Sequence, residues 1–81
     1  MKVEFDRSTC TGIFNCVHEW EQFVEDRDAG KASLVGSKEV SSDLYAREIP
    51  EDEEFEAEMA ARVCPVDAIT IYDDEGEQIV P

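Results

Sequence analysis

The chain has 81 residues, with 21 Asp or Glu against 7 Lys or Arg, for a formal net charge of −14. That length fits one domain, residues 1–81, whose core is small enough to need a metal or disulfide staple. So acidic a surface repels phosphates, which excludes nucleic-acid binding, and no apolar run approaches membrane-spanning length.

Residues 2–6 alternate, with Val3 and Phe5 on one side, and predict a strand with one buried face. Arg7, Ser8 and Thr9 lead into a loop that carries Cys10 and Cys16. A short helix is expected over residues 17–22, with Val17, Trp20 and Phe14 lying against the site or the core. Residues 23–26 and 31–35 flank Arg27-Asp28-Ala29-Gly30, a turn-forming stretch, and read as a peripheral β-hairpin that carries no ligand. Residues 36–49 allow two readings. Ser41-Ser42-Asp43 can cap a short helix through Tyr45 and Arg47, or the segment is an irregular surface connection.

Pro50 opens the clearest helix. Proline suits a first turn, and Glu51-Asp52-Glu53-Glu54 complement the positive end of the helix dipole. Phe55, Met59 and Val63 recur every four residues and predict the buried face. Pro65 stops the helix just past Cys64. Val66-Asp67-Ala68 turns into a β-branched strand over 69–72. A turn at 73–76 and a short return strand over 77–80 close the chain.

The chemistry lies in three cysteines, Cys10, Cys16 and Cys64. Their odd number and the absence of an apolar leader in residues 1–6 argue against a disulfide framework. They point instead to a reducing, cytoplasmic location. Three readings of the thiols stand. They can be buried as small hydrophobes. They can hold zinc, which prefers four ligands and shorter steps and would need His18 as the fourth. They can wrap an inorganic cluster, where Gly12 would let the backbone approach closely. No serine, histidine and aspartate order suggests nucleophilic catalysis, so no enzymatic turnover is expected. A metal-stabilised acidic interaction module is the alternative function.

Cys10-Thr11-Gly12-Ile13-Phe14-Asn15-Cys16, followed by Cys64-Pro65-Val66-Asp67-Ala68-Ile69, resembles the ligand pattern of bacterial-type ferredoxins. That pattern is C-x2-C-x2-C with a later C-P. The likeness spans residues 3–72 and is to the small single-cluster [3Fe-4S] ferredoxins that serve cytochrome P450s. The resemblance implies an α+β, ferredoxin-like fold: a small antiparallel sheet, its last long strand paired with its first, and two helices around one iron–sulfur cluster. It carries the ligands over onto Cys10, Cys16 and Cys64 and makes the chain a one-electron carrier. The family's middle ligand is replaced here by Ile13, which has no donor atom. A [3Fe-4S] cluster is therefore expected, with a [4Fe-4S] cluster bearing a non-cysteine fourth ligand as the alternative. Positions that would serve a second cluster hold Ala60, Ala57, Glu54 and Trp20. The implied partners are redox proteins such as a cytochrome P450 or a ferredoxin reductase, with the carrier a monomer. The acidity is spread along the whole chain and is similar to that of ferredoxins from salt-loving archaea. Salt screens such self-repulsion, with a Debye length of about 3 Å at 1 M.

Overall fold

In the computed structural model, which describes residues 1–80, the first strand is the axis of the fold. In chain order the elements are β1 (Lys2–Asp6), α1 (Asn15–Glu19), β2 (Phe23–Asp26), β3 (Lys31–Leu34), β4 (Lys38–Ser41), β5 (Leu44–Glu48), α2 (Glu54–Arg62), β6 (Ile69–Tyr72) and β7 (Gln78–Val80). A five-stranded sheet runs in the order β4-β5-β1-β6-β7, and β2-β3 form a separate hairpin. All the pairings are antiparallel. This is the α+β class that the sequence implies.

The register follows from the alternation in β1. Val3 pairs with Ile71 and Phe5 with Ile69 across β6, and all four side chains are buried. Opposite-facing residues Lys2 and Glu4 stay accessible at 47% and 23% of their side-chain surface and form an ion pair at 3.3 Å. The hairpin joins this core through aromatic edges. The Phe5 and Phe23 rings stand 5.2 Å apart at 78°, and the Phe23 and Trp20 rings 5.7 Å apart at 72°. Such edge-to-face contacts suit the ring quadrupoles.

The first helix begins earlier than expected, at Asn15, so Cys16 lies inside it, and it ends before Trp20. The sequence between 38 and 48 forms neither a capped helix nor an irregular loop. It is a hairpin, β4-β5, with a two-residue turn at Ser42-Asp43. Asp43 adopts φ 58°, which aspartate tolerates better than most residues, and its N–H donates to the Glu39 carboxylate at 3.0 Å. β5 then completes the second side of β1. β4 is exposed along its whole length, which removes the apolar alternation that would mark it as a strand.

The second helix is present, preceded by a 3₁₀ turn at Glu51–Glu53. Its buried face differs from the expected one. Ala57, Ala60 and Ala61 are buried, whereas Phe55 is 71% exposed. Small side chains let α2 sit close to α1 and to β6, both of which it packs against. The bulkier Phe55 stays on the exposed side, and Met59 is only partly buried. No helix among the described residues is long and apolar enough to cross a membrane.

Candidate metal centre

The three cysteines reach one place by three routes. β1 hands the chain to a tight turn in which the Asp6 carboxylate accepts from the Ser8 N–H at 3.1 Å, the Ser8 hydroxyl at 2.6 Å and the Thr9 hydroxyl at 2.9 Å. The bonds from Ser8, then Thr9, hold the Asp6 pKa below its ordinary 3.8. Cys10 follows immediately. The loop then curls through two left-handed residues, Gly12 at φ 78° and Phe14 at φ 65°. A phenylalanine in that region is uncommon and marks a constrained bend. α1 starts at the next residue and carries Cys16, which is buried.

Cys64 comes from the far side. α2 ends at Arg62, with Val63 as its cap. The Asp67 N–H reaches back to the Cys64 carbonyl at 3.5 Å, with Asp67 at φ 54°, and this turn sends the chain into β6. The Asn15 amide donates to the Val63 carbonyl at 3.5 Å, tying the start of α1 to the end of α2.

Cys10, Cys16 and Cys64 all line one pocket, whose walls include Phe5, Phe14, Val66 and Ile69. All three thiols are free. The Cys16 thiol is pushed up to about 11, first by burial and then by the neighbouring Cys10 and Cys64. Ile13 lines the same pocket and is 52% exposed, at its mouth. His18 is exposed on α1 and is not part of the lining. Trp20 also lies elsewhere. It is buried, donates to the Glu53 carboxylate at 2.9 Å and carries the Arg47 guanidinium 5.4 Å above its ring.

The β2-β3 hairpin, peripheral by the sequence, grips the loop. The Ala32 N–H points at the Cys10 sulfur at 3.4 Å. The Lys31 ammonium donates to the Cys10 carbonyl at 2.8 Å and to the Ser8 carbonyl at 3.4 Å. Arg7 pairs with Asp26 at 2.6 Å. Gly12 packs so tightly against Gly30 that a Cβ would run into the Gly30 carbonyl oxygen. Spacing along the chain carries no signal for these contacts, which depend on where the hairpin folds back.

Three free thiols thus stand around one apolar hollow in a small α+β frame. Residues 3–71 match the model of the family described as the 4Fe-4S single cluster domain, and the chain belongs to that family. It is a ferredoxin-type electron carrier with a single cluster. No curated protein and no solved structure matches the chain. The donor set fits such a group: thiolates are the ligands that iron–sulfur clusters take, and apolar walls limit the access of water to it.

Proposed function

We propose that the chain carries one electron at a time on a [3Fe-4S] cluster held by Cys10, Cys16 and Cys64. The observation that supports this most is the convergence of all three cysteines on one apolar pocket, with Ile13 at the position where a fourth donor would stand. When bound, the cluster supplies the redox-active iron. The chain provides the thiolates, the Ala32 N–H aimed at sulfur, and the walls that limit water. Among the described residues, no three His, Cys, Asp or Glu side chains are grouped to hold a single metal ion. Three thiols on one pocket, with no fourth cysteine in the chain, suit a cluster better than a zinc ion that prefers four ligands.

A second reading, a [4Fe-4S] cluster whose fourth iron takes a non-cysteine ligand, is favoured by the description of the family. Low-temperature EPR of protein purified without oxygen separates the two. The oxidised wild type is expected to give a signal, and Ile13→Cys, which restores a middle donor, is expected to lose it as the fourth iron is retained. A silent oxidised wild type would contradict the three-iron form.

The surface charge of −14 disfavours taking up another electron. The midpoint potential is therefore expected below zero, within the roughly −700 to +450 mV open to such clusters. A clearly positive value in an anaerobic titration would refute the electrostatic reasoning. The same charge suits docking on basic patches of a redox partner, such as a cytochrome P450 or a ferredoxin reductase. Its spread along the whole chain suits a protein at work in concentrated salt.

A further inference from the structure

Cations are scarce here, at seven Lys and Arg in all, and several are spoken for. Lys2 pairs with Glu4, Arg7 with Asp26 and Arg27 with Glu25. Lys31 differs. Among the described residues its ammonium makes no ion pair with a carboxylate. It is held instead by two backbone carbonyls, those of Cys10 at 2.8 Å and Ser8 at 3.4 Å. The next residue, Ala32, points its N–H at the Cys10 sulfur at 3.4 Å. One strand start thus presents a full positive charge and an N–H donor to the first cysteine. The charge is only partly exposed, so salt screens it less than a charge in open solvent.

We propose that Lys31 is a potential-tuning residue: its carbonyl-anchored ammonium favours the reduced state of the cluster against the acidic field of the rest of the chain. This rests on the cluster reading above. Reduction brings one electron from an external donor, dithionite in the laboratory, and adds one negative charge beside Cys10 with no bond made or broken. A fixed cation next to Cys10 lowers the free energy of that added charge. Its carbonyl anchors also fix the ammonium in place, so the effect does not depend on a wandering side chain. Lys31 touches the backbone of a proposed ligand rather than the reacting atoms, and so acts through position and charge.

The test is an anaerobic dithionite titration of reconstituted wild type, Lys31→Met and Lys31→Arg, followed by visible absorption, with thermal unfolding of each protein in parallel. Lys31→Met keeps the alkyl stem and drops the charge. It is expected to shift the potential downward, by a fall of about tenfold in the reduction equilibrium constant, or about 59 mV for one electron. Lys31→Arg is expected to stay near wild type. Should Lys31→Met fail to hold the cluster, Lys31→Gln carries the same measurement with an N–H donor still available to the carbonyls. A neutral variant that unfolds at a lower temperature but titrates at the wild-type potential would overturn the proposal. Loss of the cluster in both neutral variants would overturn it too, since Lys31 would then be a clamp and not a tuning charge. A wild type that takes up no cluster defeats the cluster reading itself, whereas a coloured wild type with an unmoved variant defeats only the role of Lys31.

Discussion

Cys64→Ala is expected to abolish the visible colour of the protein and lower its stability by about 4 kcal/mol, on the order of 15–30 °C in unfolding temperature. The size of the effect follows from how little else secures α2. Its buried residues are Ala57, Ala60 and Ala61, which supply only small apolar surfaces. Phe55, the largest apolar residue of the helix, is exposed. On the proposed ligation, Cys64 at the end of α2 shares the cluster with two cysteines 48 or more residues earlier in the chain, which would tie that helix to the loop after β1. Binding energy at such a site becomes folding energy. The control is the cluster-free pair. Without the cluster Cys64 is only a half-buried small side chain, so wild type and variant are then expected to differ by less than about 1 kcal/mol. Equal stability in the cluster-loaded preparations would remove the staple from the explanation.

Gly12→Ala is the second large effect, at about 2–4 kcal/mol with impaired cluster retention. Two costs add. The residue sits at φ 78°, where an L side chain is disfavoured by roughly 1–2 kcal/mol. The new methyl would also strike the Gly30 carbonyl oxygen, a backbone atom that cannot move without bending the hairpin turn. Gly30→Ala is the matched control. That position has φ 68°, but a Cβ there meets nothing within 4 Å. It should cost only the backbone term, about 1–2 kcal/mol. Chemical denaturation of the two variants isolates the contact between loop and hairpin. Equal destabilisation would mean that the hairpin does not hold the loop in place.

Much of this fold was legible because local chemistry and tertiary structure agree. Val3 and Phe5 alternate, and that face is the one β1 buries. Asp28-Ala29-Gly30 is built to turn, and the hairpin closes there. Pro65 forbids further helix, and Cys64 stands at the resulting stop. The three cysteines were legible as a set because nothing else in the chain offers thiols, and the pocket does unite them.

The misses have physical causes of their own. β4 is wet on both faces, so it carries no period-two apolar signal, and Ser41-Ser42-Asp43 suits a helix cap as well as a tight turn. In α2 the apolar residues that stand out by size are not the ones that pack. Close approach to α1 and β6 selects alanine, and alanine is silent in a periodicity argument. The role of the hairpin was hidden more deeply. Gly12 against Gly30, Lys31 on the Cys10 carbonyl and Ala32 on the Cys10 sulfur are contacts between segments some 18 to 22 residues apart. They exist only once β2-β3 lies over the loop.

The most direct measurement is the content of iron, acid-labile sulfide and zinc in protein purified without oxygen. About three irons and four sulfides per chain, in brown protein, are expected if the three thiolates share one [3Fe-4S] cluster. Colourless protein that holds zinc, or no metal at all, would contradict the electron-carrier role and leave an acidic binding module in its place.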